Sequence, residues 1–545
     1  MTTTSTAAPT DTVATDTLDI LVIGGGFSGL YALDQFRDRG YSVKVWDAAG
    51  DFGGIWWWNC YPGARTDSTG QVYQFSHKDL WKEYNFTELF PGHEGVRDYI
   101  SFVGEKLDLR KDISFNTTAT EAAWDEASKT WTVTDSEGNT QRAKNVIVAT
   151  GFGAKPLYPD LPGLDTFAGE VYHTARWPQE GVDMTGKKVV VLGTGSSGIQ
   201  VVQEAAKVAK EVTVLQRTPN LALPMRQRQL TPHDNDELRH DLPERFKIRS
   251  RAFAGFDFDF VPMNAVDLSE HERELMYERM WEAGGFELWL GNFQDILLDD
   301  AANRTFYDFW RSKVHERVSD PVKAEILAPK EPPHPFGVKR PSLEQDYFDV
   351  FNQDNVNVVD YNKHPIIEVT PEGIRTTAGL HEADLFVLAT GFDSNRGGIM
   401  AIDITGVDGA KLEEKWEHRV HTNFGLTSNG FPNMIFLYGP QSPAGFCNGP
   451  TSAEEQGKIV VDFLEHLKEH GYTRFENTRE SEVAWTDHLD EIFEASMFPK
   501  AKSWYWGANV PGKPRQMLNY CGGLGSYFGQ WDADKDAGYR NYQFS

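Results

Sequence analysis

The hydrophobic pattern of this chain switches between short apolar runs and helical spacing, and it does so twice in the same order. Leu18 to Ile23 is a mostly apolar run of strand length; Gly24-Gly25-Gly26-Phe27-Ser28-Gly29 follows, and Leu30, Leu33 and Phe36 then recur at helical intervals. Lys188 to Leu192 opens a second copy, with Gly193-Thr194-Gly195-Ser196-Ser197-Gly198 behind it and another helical stretch beyond. Each copy predicts strand, glycine turn and helix. In that setting G-x-G-x-x-G lets the backbone approach a pyrophosphate resting on the helix amino terminus. Gly24, Gly26 and Gly29 are assigned to one dinucleotide, and Gly193, Gly195 and Gly198 to another. The next strand of the first unit, Ser42 to Trp46, ends at Asp47, where a carboxylate takes a ribose hydroxyl. Its counterpart, Val212 to Gln216, ends at Arg217-Thr218. A guanidinium there suits a 2′-phosphate, so the second unit reads as a site for NADPH rather than NADH.

The remaining pattern fills in the architecture. Residues 80 to 140 read as helices and then short strands, with Thr130 to Thr134 before a turn at Glu137-Gly138-Asn139. Asn145 to Gly151 and Asp384 to Gly391 are buried-strand runs that each end in Ala-Thr-Gly, marking the crossovers out of and back into the first unit. Between 225 and 330 the chain becomes charged and helical. Ser269 and Glu272 form a capping box, Asp320-Pro321 marks a break, and the charged residues are expected on a solvated face. Phe431 to Gly439 brings a strand up to a loop at Ala444 to Gly449, ahead of a helix expected to be capped by Ser452 and Glu455. The expected fold class is α/β, with two Rossmann-like dinucleotide-binding domains and a helical insertion in the second. The expected boundaries are a disordered leader over 1–17, the first domain over 18–155 and 385–545, the second over 156–224 and 331–384, and the helical subdomain over 225–330.

Composition narrows the partners. A formal charge of −27 repels phosphate backbones and anionic lipid, so nucleic acid and membrane are not expected partners, and any anionic cofactor needs local cations. No run reaches the roughly 18 apolar residues of a membrane span. The first 17 residues lack Lys and Arg, and a cytoplasmic location is expected. The three cysteines, Cys60, Cys447 and Cys521, are too scattered for a disulfide framework, a metal site or the redox pair of flavin-linked disulfide reductases.

Three further stretches carry chemistry. The first is Phe167-x-Gly169-x-x-x-His173-x-x-x-Trp177-Pro178, between the two glycine loops; taken bare, its histidine reads as a packed core residue. The second is Gly53-Gly54-Ile55-Trp56-Trp57-Trp58-Asn59-Cys60-Tyr61-Pro62-Gly63-Ala64-Arg65-Thr66-Asp67, whose three successive Trp cannot all face one core. The third is Lys339-Arg340 before Pro341, in a loop too rich in Pro and Gly for a helix. The first two are similar to the two signatures of the type I Baeyer-Villiger monooxygenases, flavoproteins that insert oxygen beside a ketone. Tyr347 to Val356 and Ser503 to Arg515 extend the resemblance over nearly everything from Leu18 to Phe544. Two departures stand out: Cys60 where the family usually has a basic residue, and Gly70 where it often has an acid.

The resemblance implies FAD and NADPH as cofactors, a ketone and dioxygen as substrates, a C4a-peroxyflavin as oxidant, an ester or lactone as product, and a monomer with no obligate protein partner. It implies FAD contacts from Phe27, Ser28, Gly54, Ile55, Trp56, Trp58, Asp67, Ser68, Tyr73 and Gly449. NADP contacts are implied for Arg65, Thr194, Ser196, Ser197, Thr218, Lys339 and Trp504. Ala444, Gly445 and Phe446 would line the substrate pocket, and Arg340, oriented by Asp67, would be the catalytic cation. The alternatives are a flavin monooxygenase acting on nitrogen or sulfur, or a flavin-binding redox protein without catalysis.

Overall fold

The computed structural model describes residues 17–545. The expected leader therefore lies, apart from Thr17, outside the described residues. Leu18–Ile23 pairs in parallel with Val43–Trp46 on one side and with Thr140–Val148 on the other, forming the centre of an eight-stranded sheet. Met434–Phe436 returns to pair with Val146–Val148. A second, all-parallel sheet has the order Val356–Asp360, Glu211–Gln216, Lys188–Leu192, Leu385–Leu388, Glu170–His173. Runs such as Val189–Leu192 and Leu385–Leu388 are buried throughout because helices or a small three-stranded meander cover both faces of that sheet.

Leu385–Leu388 corrects the expected boundary between residues 384 and 385. It lies between Lys188–Leu192 and Glu170–His173 as an interior strand of the second sheet, so the chain re-enters the first domain only after Ala389-Thr390-Gly391. The crossovers themselves pair: Leu157 N–H donates to the Gly391 carbonyl at 2.9 Å, and Asp393 N–H to the Lys155 carbonyl at 2.9 Å. Two antiparallel segments thus join the halves side by side.

The segment 225–330 folds as helices Pro232–Arg249, Glu270–Ala283, Asp300–Arg317 and Pro321–Leu327, with the short turn Glu287–Leu290. Ser269 and Glu272 make the capping box reciprocally, and Asp320 caps the last of these helices ahead of Pro321. Its aromatic face, including Trp289, Phe306 and Trp310, joins the second sheet in one core. The expectation that its charges are solvated fails at Arg249, which is 1% exposed. Arg249 donates to the carbonyls of Val72 and Gln74 and pairs with Glu454, while Ser76 donates to the other Glu454 oxygen. A sequence-local reading assigns a charged helix to water, whereas here the partner is 205 residues away.

The helix expected to be capped by Ser452 begins four residues earlier. It spans Gly449–His470, with Asn448 accepting from Thr451 N–H and Pro450 in its first turn. Pro450 has no amide hydrogen to leave unpaired there, so the start falls before it. Among the described residues no helix is long and apolar enough to cross a membrane.

Candidate active site

The two glycine loops are built alike. Helices Phe27–Asp38 and Ser196–Val208 both begin at a glycine, Gly26 and Gly195, with no side-chain cap. A Cβ on Gly29 would meet the Gly24 carbonyl at 1.8 Å, and one on Gly198 the Gly193 carbonyl at 2.1 Å. A Cβ on Gly24 would lie 2.5 Å from the Ala149 carbonyl oxygen, and one on Gly193 2.5 Å from that of Ala389. Each loop is therefore closed against one Ala-Thr-Gly turn, leaving an uncapped helix end for a diphosphate. At Gly195 a Cβ would point into open space, as such a cradle requires. Phe27 packs among Tyr73, Phe75 and Tyr99. Asp47 is buried, and its two oxygens accept from Gly25 N–H at 2.7 Å and Ala49 N–H at 2.8 Å; burial raises its pKa against those bonds. It stands beneath the first loop and organises the backbone there.

The Trp-rich stretch makes the short helix Ile55–Trp58, in which no residue is fully buried. Gly54, at φ 53°, lies where a Cβ would touch Gly26 Cα at 2.7 Å, so this helix sits on the first glycine loop. Trp56 donates to Tyr73 Oη at 3.1 Å; Trp57 lies under Arg97 and Trp58 under Arg176. The next turn reaches the second domain. Tyr61 Oη donates to Gln200 Oε1 at 2.8 Å, and Gly63 approaches the Gln200 carbonyl so closely that a Cβ would be 2.6 Å from it. The departure at Gly70 has a packing reason, because the ring of Phe86 lies 2.6 Å from where a Cβ would stand. Cys60 is buried against the carbonyls of Trp177 and Pro178, and burial pushes its thiol pKa up.

Asp67 ends this stretch and meets Arg340. Arg340 donates from Nε at 2.9 Å and Nη2 at 2.7 Å to Asp67 Oδ2, and from Nη1 at 3.1 Å to the Gly445 carbonyl. Its guanidinium lies over Phe286 and near Trp289. Burial works against the charge, but Asp67 outweighs it and holds the guanidinium pKa above its ordinary value. Three buried polar atoms in the vicinity, Tyr505 Oη, Asn519 Oδ1 and Trp289 Nε1, have no protein partner. A Cβ on Gly445 would lie 2.4 Å from Asn519 Oδ1 and 3.1 Å from Trp504, whose ring is parallel to Phe152 at 5.6 Å. Donor cation, orphaned polar atoms and aromatic walls together fit a polar ring system and a carbonyl substrate.

Not every expected residue reaches this centre. Ser68 Oγ accepts from Asn448 beside Gly449, close to Tyr73. Ala444 and Gly445 are buried in a turn, and Phe446 packs on Phe498 and Tyr505 at 5.0 and 4.3 Å. Arg65 is held by Glu88 and the Phe90 carbonyl, and offers its own carbonyl to Gln200. Ser196 bonds Ser342, and Thr194 donates to the Thr218 carbonyl. Arg217, Thr218 and Lys339 line a separate cleft of about 510 Å³. Lys339 and Arg340, neighbours in sequence, thus serve opposite sides of their loop. Burial and the charge of Arg217 depress the Lys339 pKa to about 8.

Phe167 packs on Phe386 at the sheet edge, and Gly169 lets the chain pass the Asp384 carbonyl. His173, 3% exposed, accepts at Nδ1 from Ala175 N–H. Nε2 lies 3.3 Å from the Leu157 carbonyl and 3.2 Å from Thr390 Oγ1, one on each crossover. Burial lowers its pKa to about 4, so the ring is neutral and Nε2 carries the proton. The bare reading of a packed histidine and the reading of a residue between domains are both satisfied by this position. Tyr505, Asn519 and Trp289 were not among the expected residues, and Gly445, expected on the pocket wall, also accepts from Arg340; the nearest signal was the aromatic cluster Trp504-Tyr505-Trp506.

A family model described as pyridine nucleotide-disulphide oxidoreductase matches residues 18–241. The cyclopentanone 1,2-monooxygenase of Comamonas sp. (strain NCIMB 9872) is 50% identical over 530 residues, covering 97% of this chain and 96% of that protein. Two solved structures match with a TM-score of 0.93 and cover 97% of this chain and 99% of theirs. One is OTEMO in complex with FAD and NADP, 34% identical. The other is cyclohexanone monooxygenase from Rhodococcus sp. Phi1 bound to NADP+, 36% identical.

Proposed function

The chain belongs to the Baeyer-Villiger monooxygenases, FAD- and NADPH-dependent enzymes acting on ketones, and from that premise we propose how its own residues carry the reaction. The overall change is ketone, dioxygen, NADPH and a proton to ester or lactone, NADP+ and water. Bound FAD, with NADPH as reductant, supplies the redox chemistry that activates dioxygen. The first glycine loop, Gly24 to Gly29, and the helix Ile55–Trp58 over it would hold FAD; the loop at Gly193 to Gly198 would hold the NADPH diphosphate.

The observation that carries the reading is the Arg340–Asp67 pair. A ketone attacked by a peroxide nucleophile gains negative charge on its carbonyl oxygen. Arg340 is charged at every relevant pH and is aimed by the two bonds it donates to Asp67 and one to the Gly445 carbonyl, so it stabilises that oxygen without reorganising. Asp67 positions it. Both nucleotide loops, Asp67 and Arg340 lie in one chain, so the proposed site needs no residue from a partner subunit.

The test is NADPH consumption in air with a panel of ketones headed by cyclopentanone, alongside an amine and a thioether. Ketone-stimulated consumption with lactone or ester as the product is expected; a product oxidised only at nitrogen or sulfur would overturn the reading.

Lys339 gives this function a pH signature. The free enzyme loses the Lys339 charge as pH rises through about 8, whereas a bound 2′-phosphate would hold the proton on. The Michaelis constant for NADPH should therefore climb above about pH 8 while that for NADH stays flat. Parallel pH profiles with the two nucleotides check this.

A further inference from the structure

The cleft beside the second glycine loop holds more positive charge than the Arg217 and Lys339 assigned to it. Lys363, Lys500 and Lys502 also line it. Lys363 is paired with Asp360 at 3.3 Å and Lys500 with Asp300 at 2.6 Å. The one other carboxylate on the wall, Glu325, is taken by Arg311 at 2.7 Å. Among the described residues Arg217, Lys339 and Lys502 have no carboxylate within ion-pair distance, in a chain carrying a net charge of −27. Cations left unpaired on one concave surface of so acidic a protein mark an anion site.

Lys502 differs from the other two in where it comes from. It lies between the turns Phe498–Lys500 and Trp504–Trp506, on a carboxyl-terminal segment tied to the first domain by Lys513 on Asp393. It lines the cleft together with Gln216 and Asp360, the last residues of two strands of the second sheet.

We infer that Lys502 is a third cation reading the phosphate on the adenosine ribose, so that this phosphate is clasped between the second nucleotide domain and the carboxyl-terminal segment. This rests on the second domain holding NADPH. It also links cofactor choice to the active site, because Trp504, two residues on, stands beside Gly445, which accepts from Arg340.

Binding, rather than turnover, tests it. The purified flavoprotein is titrated calorimetrically with 2′,5′-ADP and with NAD+, which lacks the 2′-phosphate, using the parent, Lys502→Met, Lys502→Arg and Arg217→Met. Lys502→Met should weaken 2′,5′-ADP about tenfold and leave NAD+ unchanged, with Lys502→Arg close to the parent. The salt dependence of 2′,5′-ADP binding should become shallower in Lys502→Met. Parent-like affinity in Lys502→Met with loss in Arg217→Met would overturn the role of Lys502 alone. Parent-like affinity in both would overturn the cleft as a phosphate site, and the inference with it.

Discussion

Arg340→Ala should retain bound FAD yet form ester at a rate lower by about two to three powers of ten, the usual loss when an oxyanion donor is removed. The first glycine loop and the Ile55–Trp58 helix do not contact Arg340, so flavin content is expected to stay at the parent level. NADPH oxidation should continue and yield hydrogen peroxide in place of ester. Arg340→Lys restores charge but not the two-pronged contact with Asp67, and should recover only part of the rate. Asp67→Asn keeps the shape and loses the charge that holds Arg340, so its loss should be smaller. Ester yield per NADPH, measured for the three variants, checks the order; equal yields across the set would show that this pair does not act on the carbonyl oxygen.

Arg249→Ala should destabilise the protein by about 3 to 5 kcal/mol, since it leaves Glu454 buried with its charge unanswered and frees the carbonyls of Val72 and Gln74. Glu454→Gln removes less, because the single amide oxygen still accepts from Arg249 and only the bonds from Ser76 to the other oxygen are lost. The loss should appear first around the flavin, because the loop carrying Ser68 and Tyr73 and the helix beginning at Gly449 are what Arg249 joins. Release of flavin fluorescence on heating, read beside far-ultraviolet circular dichroism, distinguishes that local loosening from global unfolding.

Local patterns carried most of the fold. The strand, glycine and helix units are contiguous in sequence, and the buried parallel strands are long apolar runs, so both sheets were legible. The Ser269 capping box was legible for the same reason. Asp67 and Arg340, 273 positions apart, were identified through family resemblance, not through any local rule. What escaped was non-local. Arg249 looks like any charged helix residue until its partner is known. Leu385–Leu388 has the same apolar character whichever sheet takes it. The start at Asn448 turned on which of two nearby capping residues could precede Pro450. Lys502 shows no sign in sequence that it lines the same cleft as Arg217.

The paired crossovers also limit how the halves can move. A single connecting strand would act as a swivel. Here two segments run antiparallel, joined by their own hydrogen bonds, with Thr390 bonded to the Leu157 carbonyl at 2.6 Å and His173 spanning both. Two joined segments restrain relative rotation of the halves more than one would. They run on from the Ala-Thr-Gly turns on which both glycine loops are closed. Both cradles are therefore anchored where the halves are joined, and the cleft with Arg217 and Lys502 adjoins the second of them.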